Sequence, residues 1–291
     1  MRDDSVLITE IERFALDSGP GIRTAVYVKG CSIRCPWCCK PETISPYPQE
    51  YVKDGKKGVY GHEVPWYEIC DVVLRDKPFY QGKVAYEDRL KVSGENVEDL
   101  PGGVTFSGGE FLLQMPRLER VMARLKKEKV HIAAETSLFA SQENLAHALK
   151  YGDLFLVDIK LMNKDRVYGT LHGNVERYVR NYDFLLAHET PIVFRIPVIG
   201  GWTDDDWNQR EICGLLSSRL VKESGTTCLP HVMRIELMKG RHRGTGNYEA
   251  LRAVDSSVQI PGYEEVSDDA MQAYRRRVED AVEGCVPVVV M

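Results

Sequence analysis

The sequence predicts an α/β fold, a partial (β/α)6 TIM-like barrel with N-terminal and C-terminal extensions. Two observations lead there. From Thr24 onward, short apolar runs rich in β-branched residues alternate with stretches of helical period, the pattern of β/α units around a parallel sheet. The runs also end in charged, glycine or cysteine residues, as a barrel that builds its site at the C-terminal ends of its strands requires.

The first strand is expected at 24–28 and runs into Gly30-Cys31-Ser32-Ile33-Arg34-Cys35-Pro36-Trp37-Cys38. An insertion at about 41–101 follows. It includes a helix entered at Pro65, a residue suited to the first helical turn, with Ile69, Val72 and Val73 on its buried face. The stretch 81–100 is polar and charged without periodicity and reads as a surface insertion.

The second strand, 103–106, leads into Ser107-Gly108-Gly109-Glu110 and a helix carrying Leu118, Val121, Met122 and Leu125 at i, i+3, i+4 type spacing. The third, 130–134, leads into Glu135-Thr136-Ser137 and a helix with Leu145, Ala148 and Leu149. The fourth, 154–157, ends at Asp158-Ile159-Lys160, where period two puts Asp158 and Lys160 on one side as a candidate ion pair. The fifth, 192–196, bears Arg195 and precedes a helix with Ile212, Leu215, Leu216 and Leu220. The sixth, 232–237, ends near Lys239 and His242. A helix at 268–282 and a terminal strand around Val288 follow, with Pro287 implying a sheet edge. One domain over 1–291 is expected, with its core at about 24–245 and a C-terminal extension at about 246–291.

A net charge of −5 and dispersed basic residues argue against nucleic acid as a partner. Asp3 and Asp4 stand where a signal peptide would be basic, and no apolar run approaches a membrane span, so no membrane association and a cytoplasmic location are expected. The eight cysteines, three of them clustered, suit a metal site in a reducing compartment better than a disulfide framework.

Cys31, Cys35 and Cys38 stand at Cys-x3-Cys-x2-Cys spacing, and thiolates are the donors that iron–sulfur clusters and zinc both select. A structural zinc site closes with four protein ligands, whereas a four-iron cluster on three cysteines leaves one iron open. Cys39 offers a fourth thiolate, so the loop alone leaves zinc open; successive side chains point apart, which disfavours Cys38 and Cys39 as joint ligands.

With the cysteine loop, its aromatic before the last cysteine and the Ser107–Glu110 segment, the chain resembles the radical S-adenosylmethionine (SAM) superfamily. Within it, Asp17-Ser18-Gly19-Pro20-Gly21-Ile22-Arg23 and Gly201-Trp202-Thr203-Asp204-Asp205-Asp206 are similar to segments of the activating enzymes of glycyl radical enzymes, of the pyruvate formate-lyase activating type. The resemblance implies one [4Fe-4S] cluster on Cys31, Cys35 and Cys38, with the fourth iron chelating S-adenosyl-L-methionine. It implies that Ser107–Glu110 is the methionine-binding segment, in which Gly108, Gly109 and Glu110 hold the methionine amino group, and that Lys160 pairs with the methionine carboxylate. Glu135 and Asp158 would bind ribose or an ion, Thr136 would be a further cofactor-binding residue, Arg195 and His242 would line the polar and adenine sides, and Trp37 would offer an aromatic face. Asp17, Gly19, Pro20, Gly21 and Arg23 would lie near the substrate. The implied reaction cleaves S-adenosylmethionine reductively to a 5′-deoxyadenosyl radical, which abstracts hydrogen from a glycine Cα of a glycyl radical enzyme. A flavodoxin or ferredoxin is the implied electron donor.

The sequence departs from the family at Cys39-Lys40-Pro41-Glu42, where His-Asn-Pro-Glu is usual, at the extra Ser18, and in the 41–101 insertion, which lacks the cysteine sets of a ferredoxin-like domain. Two other functions fit the residues: a radical SAM epimerase or dehydrogenase acting directly on a small molecule or peptide, with Cys213, Cys228 or Cys285 as hydrogen donor by residue type, and a non-enzymatic metal-binding scaffold.

Overall fold

Seven parallel strands stand side by side in the structure, a computed structural model that describes residues 4–221, 229–240 and 244–291. In chain order the strands are β1 (Ser5–Ala15), β2 (Arg23–Val28), β3 (Gln49–Lys53), β4 (Lys56–Tyr60), β5 (His62–Pro65), β6 (Gly103–Gly108), β7 (His131–Thr136), β8 (Leu154–Asp158), β9 (Ile192–Val198), β10 (Val232–Lys239) and β11 (Val288–Val290). The helices are α1 (Trp66–Asp76), α2 (Met115–Lys127), α3 (Gln142–Leu149), the one-turn α4 (Lys164–Arg166), α5 (Val175–Leu186), α6 (Asp206–Leu220), α7 (Thr245–Arg252) and α8 (Asp268–Ala281).

The sheet runs β11-β10-β9-β8-β7-β6-β2-β1-β5, and β3 and β4 form a separate hairpin. All six predicted strands are present as its parallel run β2, β6, β7, β8, β9 and β10, and β11 takes the expected edge. The N-terminal extension is a strand: β1 pairs antiparallel with β2, and β5 pairs with β1.

Strand residues alternate faces, so the register sorts them. Ile132, Phe155, Val157, Phe194 and Ile235 join the main core with Leu118, Val121, Met122 and Leu125 of α2 and Ile212, Leu216 and Leu220 of α6. The opposite face of the curved sheet is the lumen. Pairings Tyr27↔Ser107, Asp158↔Arg195 and Arg195↔Glu236 place those side chains there together, near the C-terminal ends of their strands.

One expectation about the insertion is revised. The stretch 81–100 is exposed over much of its length, but Val97 and Leu100 are buried against Ala133, Leu154, Leu156, Val193 and Met233. Short 3-10 turns (Tyr86–Lys91 and Gly94–Asp99) bring those two apolar residues into the N-terminal end of the lumen, and Gly94 permits it, because a Cβ there would stand 1.7 Å from the Met233 carbonyl oxygen. A polar segment too short for helical period hides such anchors. Among the described residues no helix is long and apolar enough to cross a membrane.

Candidate active site at the barrel mouth

The cysteine loop leaves β2 at Gly30, whose φ of +104° lies in the region that favours glycine. Backbone bonds pin it to the turn behind it: Gly30 N donates to Thr43 O at 2.7 Å and Cys31 N to Ile44 O at 3.0 Å. Lys29, buried beneath, donates to the Glu42 carbonyl and to Gln49 Oε1. On its other flank Arg34 N donates to Leu171 O. Cys31, Cys35 and Cys38 are half-buried, unbridged thiols, while Cys39 is exposed.

Burial pushes the Cys31 thiol up to about 11 and Cys35 to about 12, with Lys160 pulling both back. Cys38 is also driven well up, by burial and then by Cys39 and Cys35. Such thiols are held neutral until a cation replaces their protons. Among the described residues no three His, Cys, Asp or Glu side chains close on one point as for a single ion. The fit to a cluster therefore rests on the donors, three soft thiols on one anchored loop beside an ammonium.

The glycine segment after β6 lies against this loop. Gly109 N donates to Val28 O and Glu110 N to Gly30 O, and a Cβ on Gly109 would stand 2.1 Å from Gly30 O. The Glu110 carboxylate is wholly buried and turned toward β7. It accepts from Thr136 Oγ1 at 2.8 Å, Ser137 N at 2.9 Å, Ser137 Oγ at 2.6 Å and Leu112 N. Burial raises its pKa, against the pull of those donors. Its acceptor capacity is thus filled from within the protein, so it ties the ends of β6 and β7 together, and any acceptor offered to a ligand's amino group here comes from the backbone.

The charged residues predicted at the strand ends also meet. Lys160 Nζ and Asp158 Oδ2 pair at 2.6 Å. Burial acts to lower the Lys160 pKa, but Asp158, Cys35 and Cys39 outweigh it and leave it raised. Glu135 accepts from Ser107 Oγ and pairs with Arg195 Nη1 at 3.1 Å, and Arg195 Nε bonds Glu236 Oε2 at 2.9 Å. Burial opposes the Arg195 charge, while Glu135 and Glu236 more than restore it.

Other predicted residues stand elsewhere. Trp37 is buried and packs on Trp202, ring centroids 5.6 Å apart at 45°, so it braces the loop against the 201–206 segment. Residues 17–22 precede β2 and, with Arg23 at its first position, lie at the N-terminal end of the barrel strands, about 20 Å of strand from the cysteine loop. There Asp17 is exposed, Gly19 lies near Leu156, and Gly21 permits close approach to Gly102. Pro20 is buried, and Arg23 is fully enclosed, donating to Pro20 O, Val104 O and Thr105 Oγ1. Arg23 is therefore closed to a docking partner in this arrangement. Cys213 is on α6, directed at Arg277 O of α8, outside the barrel and away from any hydrogen-donor position at the mouth. His242 and Cys228 lie outside the described residues.

Three lumen residues escaped the sequence reading: Glu236, Tyr27 and Lys40, whose ammonium sits 3.9 Å over the Tyr27 ring. Glu236 gave no local signal, since only its register opposite Arg195, past an irregularity between Val232 and Arg234, brings it there.

Known proteins resemble this chain in sequence and in fold. Residues 26–209 match the radical SAM superfamily. The chain is 31% identical to the pyruvate formate-lyase-activating enzyme of Clostridium pasteurianum, covering 84% of this chain and 86% of that protein. It is 28% identical to the pyruvate formate-lyase 2-activating enzyme of Escherichia coli K12, over 89% and 86% of the two chains. In three dimensions 94% of the chain overlays half of SuiB from Streptococcus suis with a TM-score of 0.57 at 8% identity, a likeness of fold.

Proposed function

The chain belongs to the radical SAM superfamily and, within it, to the glycyl radical enzyme activating enzymes, and from that footing we propose how its residues divide the work. Its cofactors are a [4Fe-4S] cluster and S-adenosyl-L-methionine, and its protein partner is a glycyl radical enzyme. When bound, these cofactors supply an electron to the sulfonium of S-adenosylmethionine and a deoxyadenosyl radical that takes a hydrogen atom, here from a glycine Cα of the partner.

Cys31, Cys35 and Cys38 would hold the cluster. The single observation that carries this reading is the contact of Gly109 with Gly30, which sets the glycine segment and the cysteine loop side by side over a lumen ringed with Lys160, Asp158, Glu135 and Arg195. Backbone carbonyls of Gly108 and Gly109 would accept from the methionine amino group, and Lys160 would meet its carboxylate. Ser107, Glu135, Thr136 and Asp158 would border the ribose, with Arg195 and His242 beyond. Glu110 would act by fixing the loop, and Trp37 by bracing it. Of the 17–23 segment, exposed Asp17 and half-buried Gly19 and Gly21 would be open to the partner protein at the base of the barrel, a strand's length from the reacting glycine, while Pro20 is buried beneath them. The protein's share of the catalysis is orientation and exclusion of water.

We read 1–291 as one domain carrying an insertion, in the cytoplasm, where a reducing medium keeps the thiols unbridged. A flavodoxin or ferredoxin would deliver the electron, by the family resemblance.

Anaerobic reconstitution tests the reading. We expect about four irons per chain, 5′-deoxyadenosine on reduction, and loss of both in Cys31→Ala, Cys35→Ala and Cys38→Ala. A glycine-loop peptide deuterated at Cα should pass deuterium to 5′-deoxyadenosine. Tightly bound zinc without cofactor cleavage would sink the enzyme assignment, and deuterium transfer only from a metabolite would replace the partner with a small molecule.

A further inference from the structure

We infer that Glu236 is a positioning residue that aims Arg195 at the cofactor. The inference rests on the reading above, in which Arg195 lines the polar side of S-adenosylmethionine. Glu236 is 1% exposed and no strand-end motif includes it. Its two oxygens divide between two guanidinium groups: Oε2 accepts from Arg195 Nε at 2.9 Å and Oε1 from Arg234 Nε at 2.7 Å. Arg195 is in turn gripped on a second edge by Glu135, at Nη1.

Two carboxylates on two edges of a planar fork fix its plane and its rotation, which one carboxylate alone does not. Among the described residues Arg195 spends only Nε and Nη1 in this way, which leaves Nη2 for a ligand. Glu135, Arg195, Glu236, Arg234 and, at the exposed end, Glu98 alternate in sign, so the buried arginine is compensated without a carboxylate occupying its outer nitrogen.

The same geometry says what removal does. With Glu236→Gln the side chain keeps its size but has one acceptor for two guanidiniums, and its amide must face the other. Arg195 and Arg234 then compete for one neutral oxygen, which leaves Glu135 as the charged partner of Arg195 and lets the guanidinium swing toward it. The cost falls on ligand binding, because the chemistry belongs to the cofactors.

Equilibrium binding of radiolabelled S-adenosylmethionine to the cluster-loaded chain, with KM and kcat for 5′-deoxyadenosine formation, tests this. Glu236→Gln should raise the dissociation constant and KM about tenfold with kcat within about twofold, and a crystal structure of the variant should show Arg195 displaced from its two-edged grip. Glu98→Gln, which removes the exposed partner of Arg234 and leaves the Arg195–Glu236 contact, should bind within about twofold of wild type. Equal binding by Glu236→Gln and wild type, or an equal loss in Glu98→Gln, overturns the inference. If Glu236→Gln does not fold, Arg195→Lys decides: an ammonium cannot bridge both carboxylates and reach the ligand, so a loss below about twofold overturns it too. A wild-type chain that binds no S-adenosylmethionine removes the proposed function and this inference with it, whereas tight wild-type binding with an unaffected Glu236→Gln removes only the role of Glu236.

Discussion

Gly109 and Gly30 touch backbone to backbone: the Gly30 carbonyl lies 2.1 Å from where a Cβ on Gly109 would stand, and the Thr43 carbonyl lies 2.8 Å from it. No side chain is available to give way, so Gly109→Ala must separate the glycine segment from the cysteine loop. We expect a loss of about 3 kcal/mol in urea unfolding and no measurable S-adenosylmethionine binding. A Gly109→Ala protein of wild-type stability and affinity would show that the two loops are not held together in this way.

Glu110 carries a second prediction. Its carboxylate is wholly buried and takes four donors from Leu112, Thr136 and Ser137. Glu110→Ala strands those donors away from water and should cost about 3 kcal/mol. Glu110→Gln, which keeps one acceptor oxygen, should cost roughly half of that. Chemical denaturation of the two variants reads the difference. A larger effect of Gln than of Ala would contradict the role of a tie between β6 and β7.

His131 makes the fold sensitive to acid. Burial first, then the nearby charges of Arg23, Arg89 and Lys126, hold its pKa well below the ordinary value of 6.5, and its Nε2 has no hydrogen-bond partner among the described residues. The folded state therefore keeps His131 neutral while the unfolded chain takes up a proton as pH falls below about 6.5. The sign is a loss of stability on acidification, approaching about 1.4 kcal/mol per pH unit below that point from this group alone. Unfolding free energies at successive pH values between 7 and 5 should fall less steeply for His131→Gln than for wild type; identical slopes would count against it.

Cys39 is exposed, unlike the three half-buried thiols before it. Cys39→Ala should keep iron content and S-adenosylmethionine cleavage within about twofold of wild type, because three thiolates suffice to hold a four-iron cluster. Iron loss in this variant, measured after anaerobic reconstitution, would make Cys39 a ligand.

How much of this was legible in the sequence depended on how far apart the partners lie along the chain. The strands at 103–108 and 154–158 declared themselves by apolar, β-branched runs buried on both faces. The cysteine loop and the glycine segment are each contiguous, so their residue types spoke directly. β1 was missed because its second half, Ile11-Glu12-Arg13-Phe14, mixes charges into the alternation and stays largely exposed. Tyr178, Asn181, Tyr182 and Leu185 of α5 did stand at helical spacing, but with polar atoms on three of four they do not read as a core stripe. Glu236 in Arg234-Ile235-Glu236-Leu237 looks like the wet face of an ordinary strand. Only the curl of the sheet, which turns that face inward onto Arg195, makes it part of a site, and no local pattern encodes the curl.

The seating of Val97 and Leu100 in the lower lumen has a bearing on how such proteins are recombined. The excursion between β5 and β6 is not an interchangeable cassette, although its length and polarity invite that treatment. A chimera that replaced it with an appended domain would leave Leu154, Leu156 and Val193 facing water at the base of the barrel. The seam of any transplant therefore has to fall before Val92, with residues 92–101 inherited along with the strands they stopper.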